Sequence, residues 1–345
     1  MSSPPFDLEA VPPANGHYFA LQGSLADARL VYLPVPWDVT TSYNAGAAEG
    51  PQAILTASPQ LDWYDFDLPK AWEVPRATVP IDAEIYERNR HVRALAKSVY
   101  EYLERGGTTA DAEVQPALAA VNRACADLNV WVYERSRSLL DTGKLVGIIG
   151  GDHSVPLGLM RALGEVSGHY GILQIDAHCD LRAGYGGFLY SHAAIAYHAL
   201  GLPSVTHLTQ VGIRDVSPRE IERARKDERV TLFDDWQLQA AAFSGKPWAV
   251  QCEAIVSTLP NDVYVSFDID GLSPEFCPHT GTPVPGGLSF NAAIFLLQAI
   301  VKSGRRIVGF DLCEVSPGDD EWDGNVGARV LYKLSNLALL SQPKR

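Results

Sequence analysis

Seven short runs of apolar, largely β-branched residues recur along the chain, and they leave few architectures open. They are Arg29–Pro34 (RLVYLP), Leu145–Ile149 (LVGII), Tyr170–Ile175 (YGILQI), His207–Ile213 (HLTQVGI), Val230–Phe233, Val263–Ile269 (VYVSFDI) and Arg306–Leu312 (RIVGFDL). Each is apolar nearly throughout rather than alternating, as expected of parallel strands buried on both faces. Helical patterns lie between them, such as Arg88–Arg105 and Pro116–Thr142. Strand, helix and strand in succession predict an α/β fold with a central, mostly parallel sheet. The stretch from about Ala77 to Thr142 is expected to be mainly helical and to cover one side of that sheet. One domain is expected over residues 26–345. It follows an arm, residues 1–25, whose prolines and small polar residues suit a path over the surface or a neighbouring subunit.

In such folds ligands bind beyond the carboxyl ends of the strands, so polar clusters should stand where the apolar runs stop. They do. Leu145–Ile149 runs into GGDHS (Gly150–Ser154), Tyr170–Ile175 into DAHCD (Asp176–Asp180), Val263–Ile269 carries DID (Asp268–Asp270), and Arg306–Leu312 stops just before Glu314. Extended backbone sends alternate side chains to one face. Asp176, His178 and Asp180 then share a locus while Ala177 and Cys179 turn into packing. The same geometry pairs Asp268 with Asp270, and His153 joins from a neighbouring strand end. Either DxH or DxD alone is common in capped loops and acidic turns; their joint placement at strand ends is what is specific. Four crowded carboxylates cannot all stay ionised without compensation, and a pair of divalent cations resolves the repulsion. Two imidazoles and four carboxylates suit borderline first-row metals, which would activate a shared water near neutral pH.

Composition narrows the partners. The 345 residues carry a formal net charge of −13, which argues against nucleic acid and anionic membrane. No run of about 18 apolar residues is present, so no transmembrane helix is expected. The N-terminal residues do not read as a secretory signal. Five scattered cysteines with no CxxC pair fit a reducing cytoplasm.

At these clusters the sequence resembles the ureohydrolase family, which includes arginase, agmatinase, guanidinobutyrase and formimidoylglutamase. TTSYNAGAAEGPQAI (Thr40–Ile54) is similar to the family's N-terminal loop motif. GGDHS, DAHCD and SFDIDGLSP (Ser266–Pro274) resemble its metal motifs, and TGTPVPGGLS (Thr280–Ser289) and DLCEVSP (Asp311–Pro317) its C-terminal signatures. The resemblance implies a three-layer α/β/α domain that assembles as a homotrimer or hexamer, with a hetero-oligomer containing a related subunit as the alternative. It implies two Mn(II) ions, or Ni(II) as in some members. One would be held by His153, Asp176, Asp180 and Asp268, the other by His178, Asp176, Asp268 and Asp270. A bridging hydroxide would attack the guanidinium carbon of a small-molecule guanidino substrate. Asp180 would take its proton, Glu314 would pair with the guanidinium, and His192 would shuttle a proton to the leaving amine. The products would be urea and an amine or ammonia.

Departures from the family pattern bear on the substrate. Arg182 stands where arginases carry an asparagine that recognises the α-amino acid, and Ser217 where they place an aspartate. Free arginine is therefore not the expected substrate; agmatine-class compounds, guanidino acids and small alkylguanidines remain. Arg182 would repel the ammonium tail of agmatine and tolerate a carboxylate tail or none, unless it is paired with a structural acid. Aromatics in Leu181–Ser191 and Trp322 could narrow the pocket, or simply pack. His192 is followed by Ala193, where many members have glycine. A formimidoylglutamase-type C–N hydrolase and a non-catalytic subunit of a hetero-oligomer are the competing readings; the intact ligand set, Glu314 and His192 speak against the latter.

Overall fold

The apolar runs form one sheet. Its strands are β1 (Leu30–Val35), β2 (Arg76–Thr78), β3 (Leu145–Gly150), β4 (Tyr170–Ile175), β5 (Val205–Ile213), β6 (Val230–Asp234), β7 (Asp262–Asp268) and β8 (Arg306–Cys313). They lie in the order β2-β1-β3-β8-β7-β4-β5-β6, and every neighbouring pair is parallel. The structure, a computed structural model, describes residues 9–343; the first eight residues of the expected N-terminal arm lie outside the described residues. The stretch from about Ala77 to Thr142 is mainly helical as expected, but it opens on strand β2, which was not expected. Three residues are too few to show a period, and Arg76–Thr78 extends because it pairs with β1 through Leu30, Val31 and Tyr32.

Among the described residues, ten α-helices cover the sheet: α1 (Gly50–Ala57), α2 (Ala83–Glu104), α3 (Gln115–Leu140), α4 (Leu157–Ser167), α5 (Ile195–Leu200), α6 (Pro218–Lys226), α7 (Asp235–Phe243), α8 (Trp248–Ser257), α9 (Phe290–Lys302) and α10 (Trp322–Leu340). Alternate strand residues feed two separate cores, as a period of two requires. Val146, Ile148 and Ile172 join Val92, Leu128 and Leu159 of α2, α3 and α4 on one face. Ile149, Leu173 and Val265 join Leu296 of α9 and Leu331 and Leu334 of α10 on the other. Each such side chain contributes about 1.5–3 kcal/mol on full burial, and the result is three layers, α/β/α. Among the described residues no helix is long and apolar enough to cross a membrane.

The strand order positions the site. The polar clusters follow β3, β8, β7 and β4, which are four consecutive strands at the centre of the sheet. Segments far apart in sequence thereby end side by side on one rim.

A buried ionic network pins α10 to the loop before β2. Lys333 Nζ lies 2.9 and 3.0 Å from the two oxygens of Asp65 and also donates to Asp67. Asn336 Nδ2 donates to Asp65 as well, at 3.1 Å. Burial alone would raise the Asp65 carboxyl, but the bonds from Lys333 and Asn336 hold it below the usual range; Asp67 behaves likewise with Lys333 and Gln298. Lys333→Met leaves Asp65 buried and unpaired and should cost roughly 3 kcal/mol at neutral pH. A group depressed in the fold stabilises it above its unfolded pKa and loses that contribution as pH falls through the folded value. The difference between Lys333→Met and wild type, read by urea denaturation, should therefore shrink below about pH 4. An equal difference at pH 7 and in acid would contradict the network.

Candidate metal centre

The site starts where β3 meets the loop after β1. Gly151 has no room for a side chain: a Cβ there would stand 1.9 Å from the Trp37 carbonyl oxygen. This close approach sets His153 just beyond the strand end, with only 1% of its surface exposed. Its Nε2 lies 2.8 Å from Ser266 Oγ, which in turn donates to Asp311 Oδ2 at 2.9 Å. That chain places the imidazole proton on Nε2 and leaves a lone pair on Nδ1. Nδ1 stands 3.0 Å from Asp176 Oδ2 and 3.2 Å from both Asp180 Oδ2 and Asp268 Oδ2; it makes no hydrogen bond while the ring is neutral, and with no cation between them these carboxylates raise the ring well above the ordinary histidine value despite its burial.

A second cluster adjoins the first. His178 Nδ1 lies 3.0 Å from Asp270 Oδ2 and 3.6 Å from Asp176 Oδ1. Donor atoms of His153, Asp176 and Asp268 fall within 4.8 Å of one another, and so do those of Asp176, His178 and Asp270. Asp176 is common to both. Asp268 closes only the first trio at that distance, and Asp180 joins it through His153 alone. In a third trio, His153 with Asp311 and Cys313, the Ser266 hydroxyl bridges His153 to Asp311 and the Cys313 thiol donates to the other Asp311 oxygen at 3.5 Å.

Two local routes differ from the extended backbone expected. Asp176, His178 and Asp180 do share one locus, with Ala177 and Cys179 fully buried. Asp180, however, has φ of +51°, a left-handed conformation that is costly for a non-glycine residue and concentrates at functional sites. Asp270 reaches the locus through a 3-10 turn at Ile269–Gly271 rather than along β7. Asp268 Oδ1 accepts from the Asp270 N–H at 2.9 Å, and Asp270 Oδ1 from the Ala177 N–H at 2.9 Å. Each carboxylate thus has one oxygen held by backbone and the other turned to an imidazole.

The electrostatics carry an excess of negative charge. Burial, then the charge of Asp176, pushes Asp180 up to about 7. Burial, Asp270 and Asp176 together hold Asp268 well above the carboxylate range. Burial opposes charge on His178, yet Asp270 and Asp176 overcome it and lift the ring to about 12. Protons are drawn in where positive charge is missing. Two divalent cations among these six side chains would supply it, and the mixed imidazole–carboxylate donor set suits borderline first-row cations.

Beside the clusters lies a cavity of about 170 Å³ walled by His178, Asp180, His192, Glu314, Arg182 and Tyr185, among others. Glu314 follows β8 with φ of +62°. Its Oε1 accepts from the His153 N–H at 3.0 Å, while Oε2 is buried without a partner. Burial, then the charge of Asp152, raises its carboxyl well above the usual range. Gly281 leaves a hollow next to it; a Cβ there would sit 3.2 Å from Oε2. His192 is pushed down to about 3 by burial and by the charge on His178.

The remaining candidates divide. Arg182 lines the cavity and is also paired: its Nε is 3.4 Å from Glu220 Oε2 and its guanidinium lies 4.9 Å from the Tyr185 ring centre. Ser217 does not line the cavity. It caps α6 in a box with Glu220, their side chains 2.7 Å apart. Trp322 starts α10, 46% exposed, with its indole N–H on the Glu275 carbonyl at 2.9 Å, and it does not line the cavity either. Ser42, Asp215 and Thr282 do, and no role was expected of them. Each sits in a motif already singled out, or two residues from Ser217, and only the fold shows which residue of the motif faces inward.

Comparison with known proteins identifies the family. The model of the arginase family matches residues 28–335. An N(1)-aminopropylagmatine ureohydrolase of Thermus thermophilus is 33% identical over 308 residues, covering 89% of each chain. An agmatinase of Proteus mirabilis is 31% identical over 321 residues, 92% of this chain and 90% of that one. Proclavaminate amidino hydrolase from Streptomyces clavuligerus shares the fold, with a TM-score of 0.73 at 22% identity over 97% of this chain and all of that one. A family match over most of the chain, together with relatives above 30% identity across nine-tenths of it, leads to one conclusion: the chain belongs to the arginase family.

Proposed function

We propose that this arginase-family hydrolase splits a compact guanidino compound with water, releasing urea and an amine or ammonia. Two divalent cations, manganese first and nickel as the alternative, would be held by His153, Asp176, Asp180 and Asp268 and by His178, Asp176, Asp268 and Asp270. The observation that carries the reading is the lone pair of His153 Nδ1 facing three carboxylate oxygens without a hydrogen bond, beside an unpartnered Glu314 Oε2. The first arrangement wants a cation and the second a planar N–H donor. When bound, the cation pair supplies Lewis acidity and a water acidified to near neutrality.

The chain's own residues do the rest. Glu314 Oε2 accepts an N–H of the guanidinium, fixing its plane, while Oε1 stays on the His153 N–H. The Asp180 carboxylate takes the proton that the attacking water gives up. His192, on the cavity wall and neutral at rest, would take up that proton and pass it to the leaving nitrogen. The cavity favours a small substrate: about 170 Å³ is below the roughly 300–1,000 Å³ of pockets for drug-sized ligands, and Arg182 stacked on Tyr185 occupies the wall where a long tail would lie. The Arg182 charge disfavours an ammonium tail and accepts a carboxylate.

The test is urea release from the Mn(II)- or Ni(II)-loaded protein with guanidine, methylguanidine, guanidinobutyrate, agmatine and arginine. Guanidines without a tail or with a carboxylate tail should show higher kcat/KM than agmatine, and arginine the lowest. No urea from any of them would sink the reading; formamide released from a formimino substrate instead would replace it.

A further inference from the structure

The Thr40–Ile54 motif contributes Ser42 to the cavity wall, but its first residue makes the most consequential contact. Thr40 is fully buried. Its Oγ1 lies 3.1 Å from Asp152 Oδ2 and accepts the backbone N–H of His192 at 3.0 Å. A hydroxyl has one proton to donate and lone pairs to accept. Here it donates to the Asp152 carboxylate and accepts from His192, so both bonds can form at once. Asp152 is itself held, accepting from the Ser154 N–H at 3.0 Å, and it immediately precedes His153. The clasp therefore joins the end of β3, which carries a metal-ligand candidate, to the turn that carries His192.

The loop bearing Thr40 is fastened from behind by one face of α2. Asn89 exchanges two hydrogen bonds with Asp38, at 2.8 and 3.0 Å. Arg93 Nη1 donates to the Val39 carbonyl at 3.1 Å, and the Tyr100 hydroxyl donates to the Thr40 carbonyl at 2.9 Å. Positions 89, 93 and 100 are four and seven apart, hence on one side of the helix. On the other end, the His192 turn is short: Ser191 caps it through the Ala193 N–H at 3.3 Å, and the Ala194 N–H returns to the Ser191 carbonyl at 2.9 Å. The ring of His192 is held only weakly by its own side chain, with Ser191 Oγ 3.4 Å from Nδ1. Tyr185 meets the ring edge-on, its centre 6.4 Å away, and the backbone that carries the ring is tied to Thr40.

We propose that Thr40 is a positioning residue for His192, a clasp that fixes the proton-shuttle turn against the strand end bearing His153. The catalytic part of this proposal rests on reading His192 as the shuttle; the clasp itself does not.

The experiment compares Thr40→Val, which keeps the side chain's shape and removes its oxygen, with Thr40→Ser, which restores the hydroxyl. In the full-length purified protein, amide hydrogen exchange of the peptide covering residues 181–194 should rise on the order of 10-fold in Thr40→Val, with α9 unchanged, and should match wild type in Thr40→Ser. With Mn(II) loaded and guanidine as substrate, kcat should fall on the order of 10- to 100-fold in Thr40→Val, with KM and metal content unchanged, and recover in Thr40→Ser. Unchanged exchange at residues 181–194 overturns the clasp. So does a rise spread over the whole chain, which would make Thr40 a general support of the fold, and so does failure of Thr40→Ser to recover. If wild type releases no urea from any guanidino compound, the proposed function fails while the exchange comparison still decides the clasp.

Discussion

Asp176→Ala should lose both bound cations and with them all measurable urea release. Asp176 alone belongs to both donor clusters, with Oδ2 3.0 Å from His153 Nδ1 and Oδ1 3.6 Å from His178 Nδ1. It is fully buried, and burial that would raise its carboxyl is outweighed by the two imidazoles, which hold it below the carboxylate range. Removing it takes a negative charge from each cluster at once. A cation pair supplies several kcal/mol of transition-state stabilisation, so a loss of roughly 4–6 kcal/mol, on the order of 10³- to 10⁴-fold or more in kcat/KM, is expected. Asp270→Ala touches only one trio and should leave about one cation per chain. Metal content by mass spectrometry after gel filtration reads both variants directly. Two tightly held cations in Asp176→Ala would remove the case for Asp176 as a shared ligand.

The same clusters show what could be read from residues and what could not. The central parallel strands are buried on both faces, and even the half-buried edge strand β6 keeps apolar residues, so seven of the eight announce themselves as apolar runs, and their ends follow. Strand β2 does not, because three residues carry no period and Arg76 is polar; its place follows from pairing with β1 and from the buried bonds of Arg76 to Asn336 and Ala71. Asp268 and Asp270 meet as expected, yet through a 3-10 turn instead of the pleat. Spacing two apart is satisfied by both geometries, so the pattern is legible while the route is not. Ser217 drew notice because it aligns with a family position. The neighbouring residues already spelled another role: serine followed three places later by Glu220 at the start of a helix is a capping box, and that is what forms. Thr40 lies 152 residues from its partner His192, a distance that no local pattern bridges.

Arg182 illustrates a different limit. Both roles that the sequence allows it are present together, since it lines the cavity and is paired with Glu220. Glu220 already accepts from the Ser217 N–H and hydroxyl and from the Leu181 N–H. The acid is thus largely occupied by the cap of α6, and the Arg182 charge is only partly neutralised. Under the proposed function, the remaining charge would disfavour an ammonium tail.

Glu314→Gln separates binding from metal retention. The substitution keeps the side chain's shape and its acceptor for the His153 N–H, now 3.0 Å from Oε1, but removes the charge that faces the hollow beside Gly281. Hydrogen bonds to charged groups contribute about 1.5–3 kcal/mol, so kcat/KM for a guanidino substrate should fall roughly 10- to 150-fold, chiefly through KM. Metal content should stay at the wild-type value, because Glu314 belongs to neither donor cluster. Stability supplies the second readout. A fully buried carboxylate with an unpartnered oxygen beside Asp152 is a cost to the folded protein, and its left-handed backbone adds strain. Neutralising the side chain relieves the first cost, so the metal-free Glu314→Gln chain should unfold at an equal or higher temperature than wild type at neutral pH. A drop in Tm together with unchanged KM would mean that Glu314 holds the fold and not the substrate.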